Sequence, residues 1–391
     1  MKSTGWLGYN RPEWCLIWGC FAAWVVGYLV NGAAPMIVEA LIANLGLSES
    51  RAAYLVSVEF AGVGLISLVF GPVIHRLSKR HFALLGCAIA IATNICSILT
   101  SHYEYLMFLR LLAGAGTGLA IVSGAAAVAR YREPEKMYGV VNVLVAIVVS
   151  IAIISAGYSL KAFGVQGIFG LMTMFYVLIL PLLFLLPVDI HTNVDARSRQ
   201  ALPSFGLGCL FVFGFVFALI WQNACWVFGV YVGEISGLNI EFTGTVIGIA
   251  AFLGVIGAMV SAWIGVRLGR VVPLTVGFLA MGGSWWLMCI LPNPVVFIVC
   301  MTVNNIAYFF NISFSLGMAA SLDQWGRWAS IAAGLTLLGS ILGPVFAGLL
   351  IERGGINLLG WTTLFGVFFA LLLLLVVAQR MAKLEFQEIL T

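Results

Sequence analysis

The chain has 391 residues, of which 62% are hydrophobic and only 9% are charged, with 19 Lys and Arg against 15 Asp and Glu. A soluble domain covers itself with charge on about a quarter of its residues, so this composition excludes a water-solvated fold and makes lipid the solvent. The formal net charge of +4 is small and scattered over loops, which implies membrane topology and excludes nucleic acid as a partner.

Apolar runs long enough for the roughly 20 residues of a membrane crossing predict twelve transmembrane helices. In chain order they lie near Cys15 to Ile42, Ala52 to Ile74, Phe82 to Thr100, Tyr105 to Ala129, Tyr138 to Phe163 and Gly167 to Pro187. The second six lie near Phe205 to Val232, Phe242 to Val266, Val271 to Leu291, Val295 to Ser321, Trp328 to Ile351 and Leu358 to Gln379. Continuous apolar runs in lipid must be helices, because hydrocarbon cannot satisfy an open strand's backbone groups. The predicted class is an all-α membrane protein.

With both termini on one side, fifteen of the 19 basic residues fall on that side, and the other holds only Arg51, Lys161 and Arg353. The positive-inside rule then places both termini in the cytoplasm. Arg110 is the remaining cation and lies inside a span. The polar loop at residues 191–203 is the candidate cytoplasmic hinge between two six-helix bundles, residues 1–190 and 204–391.

Nothing in the chain reads as an enzyme. The eight cysteines fall within predicted spans without a Cys-x-x-Cys pair, so neither a disulfide framework nor a metal site is expected. The four histidines are too dispersed for a metal cluster, and no nucleophile elbow, phosphate-binding loop or catalytic carboxylate pair is present. No cofactor is implied. The longest internal loop, Val188 to Ser204, is too short for a nucleotide-binding domain, so energy is expected from a gradient or from the solute itself.

The two halves repeat. Gly46-Leu47-Ser48 leads, one hydrophobic helix later, into Arg76-Leu77-Ser78-Lys79, and Gly237-Leu238-Asn239 leads into Arg267-Leu268-Gly269-Arg270. The offset is nearly half the chain, and such internal repeats mark secondary transporters.

Charges inside the membrane are functional candidates by default. Arg110 sits about one turn inside the outer boundary, and its counterpart in the second half is Met301. Two carboxylates are its candidate partners. Glu39 lies near the outer end of helix one, on a face with Tyr28, Asn31 and Pro35; Glu59 is deeper in helix two, with Ala250 as its counterpart. Low dielectric favours a neutral carboxyl and a nearby guanidinium favours the ionised one. A carboxylate alternating between those settings therefore takes up and releases a proton, and Glu59 or Glu39, switched against Arg110, is the expected proton-coupling device. The alternatives are an interfacial acid for Glu39 and a fixed ion pair for Glu59.

The second half offers polar residues without charge. Helix ten carries Asn304, Tyr308, Asn311 and Ser315 on one face, flanked by Asn305; helix seven carries Gln222 and Trp226, beside Asn223. At the repeat offset Asn31 aligns with Gln222. Amides bind polar solutes and aromatic rings stack on flat ones, so Tyr28, Asn31 and this second set are the candidate solute-binding residues. The competing reading is hydrogen bonding between helices.

Between helices two and three the chain reads Gly71-Pro72-Val73-Ile74-His75-Arg76-Leu77-Ser78-Lys79-Arg80. This resembles Gly-x-x-x-Asp-Arg-x-Gly-Arg-Arg, the loop signature of the major facilitator superfamily, which the chain resembles along its whole length. His75 replaces the acid and Ser78 the second glycine; the second-half copy keeps Arg267, Gly269 and Arg270. The helix-four motif Arg-x-x-x-Gly is present as Arg110 to Gly114, with Gly118 four residues on. The antiporter glycine-proline motif is absent from helix five, while helix eleven carries Gly343-Pro344. The resemblance implies two pseudo-symmetric six-helix bundles, a central site and alternating access. It gives Gly71, His75, Arg76, Lys79, Arg80, Arg267 and Arg270 a gating role, against which stands the plainer reading of positive-inside anchors.

The resulting reading is a monomeric secondary transporter of the bacterial inner membrane. It moves a small organic solute, aromatic or amphipathic, with protons, and its other partner is membrane lipid. Alternatives are a drug or sugar efflux carrier and an uncoupled facilitator; a lipid scramblase or a non-transporting sensor on the same fold ranks behind them.

Overall fold

The computed structural model describes residues 11–70, 73–74, 77–128, 134–188, 205–265, 267–322 and 327–390. Every regular element among them is helical. In order they are α1 (Arg11–Leu45), α2 (Glu49–Phe70), α3 (Lys79–Ile98), α4 (Tyr103–Val128), α5 (Pro134–Leu183), α6 (Phe205–Val227), α7 (Gly229–Ile235), α8 (Ile240–Ile264), α9 (Val271–Ile290), α10 (Pro294–Ala320) and α11 (Arg327–Leu390). Ten of these are long and apolar enough to cross a membrane.

Two helices are too long for one crossing. The 50 residues of α5 and 64 of α11 would span about 75 and 95 Å at helical rise, against a hydrocarbon core of about 30 Å. Each breaks at glycine. Gly164 adopts φ 63° and ψ −149° inside α5, and Gly355 adopts φ 68° inside α11. Such positive φ values are open to glycine at no steric cost, so each element is two helical arms meeting at a kink. The run predicted from Phe205 to Val232 is interrupted at Phe228, whose φ of −98° and ψ of 15° separate α6 from α7.

The chain forms two compact units. One contains Met1–Gly46 and Val58–Ala196; the other contains Leu47–Ser57 and Arg197–Thr391.

In the first unit α4 is the helix that its neighbours approach most closely. A Cβ at Gly114 would collide with the Glu59 carbonyl of α2, and one at Gly118 would lie 3.0 Å from the Val63 carbonyl. Gly116, on another face, would meet the Gly86 carbonyl of α3 at 2.6 Å, and Gly124 the Trp24 ring of α1 at 2.8 Å. Without a hydrophobic drive between helices in lipid, this backbone proximity is what holds them.

The second unit repeats the device. Gly254 and Gly257 of α8 admit the Phe309 ring and the Ile306 carbonyl of α10. The glycines of α11 serve likewise: Gly339 and Gly343 lie against the backbone of α6 near Leu219 and Ala224. Phe211, Phe215, Phe278, Phe310, Phe314 and Leu374 form the core between α6, α9, α10 and α11.

Candidate functional site

Arg110 lies about 10 Å into α4 at helical rise and is 1% exposed. An unpaired guanidinium there is costly, so its partners define the site. Its Nη1 stands 3.4 and 3.5 Å from the two carboxylate oxygens of Glu59, itself 1% exposed on α2. Between the two carboxylates expected from sequence, the helix crossing at Gly114 selects Glu59 by bringing α2 onto α4 at that level. Glu39 is buried at 5% exposure on α1 and is not the residue that pairs with Arg110.

The shorter bonds of Arg110 go elsewhere. Nη2 donates to Asn94 Oδ1 at 2.9 Å and to Ser97 Oγ at 2.7 Å. Asn94 and Ser97 share a face of α3 by their i, i+3 spacing. Cζ lies 4.5 Å from the ring centroid of Phe169, in the second arm of α5, a cation–π distance. Nε has no hydrogen-bond partner, nor does the buried hydroxyl of Tyr176 two turns along from Phe169. Sequence reasoning missed Asn94, Ser97 and Phe169; two polar residues three apart within a largely apolar run of α3 were the available signal.

The second unit holds a neutral network of its own. Gln222 Nε2 donates to Asn304 Oδ1 at 2.9 Å, and Gln222 Oε1 accepts from Trp285 Nε1 at 2.9 Å and Asn304 Nδ2 at 3.2 Å. Asn304 Nδ2 also reaches the Met281 carbonyl at 3.1 Å. All three side chains are at most 4% exposed, so α6, α9 and α10 are tied by a closed set of bonds.

The other predicted solute residues divide by exposure. Asn223 bonds the Leu219 carbonyl and Ser340, Asn305 bonds the Met301 carbonyl, and Asn311 Nδ2 points at Met281 Sδ. Those amides are buried. Tyr28 is 45% exposed between buried neighbours on α1, edge-on to Trp24 at 6.1 Å. Asn31, Trp226 and Tyr308 are partly exposed.

A family model described as Major Facilitator Superfamily matches residues 19–324, well over half of the chain. The protein belongs to the major facilitator superfamily. No curated protein matches its sequence. In fold the chain is similar to solved structures: a variant of the nucleoside transporter NupG has a TM-score of 0.72 at 12% identity, over 93% of this chain and 98% of that one. NupG itself is 14% identical with a TM-score of 0.69, over 94% and 98%. A bacterial homologue of the human lysosomal transporter Spinster, inward-facing and occupied, is 11% identical with a TM-score of 0.69, over 95% and 96%.

The superfamily's loop motif is only partly in view, because Gly71, His75 and Arg76 lie outside the described residues. Lys79 is fully buried in the first turn of α3, and Arg80 Nε donates to the Leu186 carbonyl at 2.8 Å. Both residues enter packing beyond that of a solvated anchor. In the second copy Arg267 lies 5.8 Å over the Trp263 ring. Arg270 precedes α9 and, with Ser261, Ser313, Phe314 and Ser321, lines a cavity of about 390 Å³.

Proposed function

We propose that this superfamily member is a proton-coupled secondary transporter of a small organic solute. Its twelve crossings form two six-helix bundles, residues 1–190 and 204–391, joined by a hinge at 191–203, with both termini in the cytoplasm. It works as a monomer in the bacterial inner membrane by alternating access. The observation that carries the reading is the buried Glu59–Arg110 pair. It has no counterpart at the repeat-related positions, Ala250 and Met301, so the fold does not require it and retention of two buried charges points to use.

Protonation of Glu59 neutralises the carboxylate and removes its attraction to Arg110; deprotonation restores it. A step that changes the accessibility of Glu59 thereby carries one proton with each cycle. Solute contacts are assigned to the exposed Tyr28 and to the partly exposed Asn31, Trp226 and Tyr308, with Gln222, Asn223, Asn304, Asn305 and Asn311 holding the helices that present them. The loop residues Gly71, His75, Arg76, Lys79, Arg80, Arg267 and Arg270 are assigned to gating.

Untargeted mass spectrometry of cells and medium, comparing expressing, deleted and Arg110→Ala strains, identifies the solute and its direction. Proteoliposomes with an imposed pH gradient then test coupling. Wild type accumulates the solute against its gradient and Glu59→Gln only equilibrates it. Equal gradient-driven accumulation by both proteins refutes proton coupling through Glu59.

A further inference from the structure

Arg110 is held unequally by its neighbours. Its contacts to α3 are 2.7 and 2.9 Å, whereas both contacts to Glu59 are 3.4 to 3.5 Å and come from one nitrogen. A charge-assisted bond between guanidinium and carboxylate usually closes to about 2.7–2.9 Å. The guanidinium is thus docked on two neutral acceptors and the Phe169 face, with Glu59 at the edge of its reach.

The repeat carries a second argument. At the offset of Glu59 to Ala250 and Arg110 to Met301, Asn94 corresponds to Trp285 and Ser97 to Met288. Where the second half lacks the arginine, it lacks both acceptors as well. Trp285 turns its Nε1 instead to Gln222, and its ring, with Met301, lies near Gly229. The polar pair on α3 accompanies the arginine and is absent without it.

We propose that Asn94 and Ser97 are positioning residues that make Arg110 the stationary member of the proton site, leaving Glu59 as the member that moves. The inference rests on the proton-coupled reading above and deepens it. A fixed cation gives the returning carboxylate the same partner geometry in every cycle. A cation free to follow Glu59 would close into the bidentate pair that guanidinium and carboxylate favour, and would hold the carboxylate through the cycle. Among the described residues, the titratable and charged groups around Glu59 are Arg110 from α4 and Tyr176 from the second arm of α5, with Cys87 of α3 bonded to the Tyr176 carbonyl at 3.7 Å.

Two measurements on the purified full-length protein in lipid test this. The first is a thermal-melting cycle of Asn94→Ala/Ser97→Ala made in wild type and in Arg110→Met. A clamp predicts a loss of several degrees in wild type and little further loss in the Arg110→Met background. Equal losses in both backgrounds overturn it. The second is an infrared pH titration of the buried carboxyl band, assigned by its disappearance in Glu59→Gln. The double variant is expected to displace the midpoint by about one pH unit, while Ser97→Thr, which keeps the hydroxyl, leaves it in place. An unmoved midpoint in a double variant that passes the melting cycle overturns the positioning role and leaves Asn94 and Ser97 structural. If Glu59→Gln removes no titrating band, the proton-coupled reading fails, and the positioning role fails with it even where the melting cycle shows a clamp.

Discussion

Glu352 of α11 caps the first turn of α2, 302 residues away in sequence: its Oε1 accepts from the Ser50 backbone N–H at 3.1 Å and from the Ser50 hydroxyl at 2.7 Å. The first turn of a helix has N–H groups with no intrahelical acceptor, and here a carboxylate from a distant helix supplies one. Gly348, one turn before Glu352, makes room, since a Cβ there would lie 2.7 Å from the Ser50 Cα. Leu47–Ser57 belong to the second unit and the rest of α2 to the first.

Removal of that acceptor by Glu352→Ala is expected to lower stability by about 1 kcal/mol, the usual worth of an N-cap. Gly348→Val adds a clash to the loss of fit and is expected to cost more. Detergent melting curves of the two variants check the order, and a Gly348→Val protein as stable as wild type contradicts the close approach.

At the other glycine crossing, Gly114→Ala drives a methyl into the Glu59 carbonyl. Overpacking of this kind costs about 1–3 kcal/mol, and it also displaces Glu59 from Arg110. Gly283→Ala is the control, because nothing lies within 4 Å of its added carbon, and alanine is the better helix former by about 1 kcal/mol. Melting temperature should fall in the first variant and hold or rise in the second.

Gln222→Leu leaves Trp285 Nε1 without an acceptor and opens the Asn304 pair. The expected cost is about 1–3 kcal/mol for the buried groups left unsatisfied. Tyr28→Ala removes an exposed ring and is expected to change the KM for the solute with little change in melting. Transport kinetics and melting on the same two variants separate support from solute contact. The assignment fails if Tyr28→Ala melts early with an unaltered KM.

Arg110→Met strands Glu59 in the interior and is expected to cost about 3–5 kcal/mol. The double substitution Glu59→Ala/Arg110→Met reproduces the residues of the second half, Ala250 and Met301, and should recover much of that loss. Both proteins can be compared by chemical denaturation in detergent. A double variant no more stable than Arg110→Met shows that the loss came from something other than the stranded charge.

Much of this protein is local information. The solvent follows from composition, and the helix limits follow from where apolar runs stop: Val271 to Leu291 is predicted and α9 runs Val271–Ile290. Membership of the superfamily was readable from the loop and helix-four motifs. Arg110 and Glu59 stood out because a charge within an apolar run is visible without any contact. The glycines at 114, 116 and 118 were visible too, but not that the first and last meet α2 while the middle one meets α3.

The choice between partners needed the tertiary structure. Glu39 and Glu59 are equal candidates in a linear reading, since neither the crossing point of α2 on α4 nor the rotation of α1 is encoded in periodicity. Asn304 and Asn311 of α10 both reach Met281 of α9, a direction that depends on how the helices are turned about their axes. Apolar periodicity sets helix rotation when one side is water; in lipid both sides are apolar, and backbone contact at glycine decides it instead.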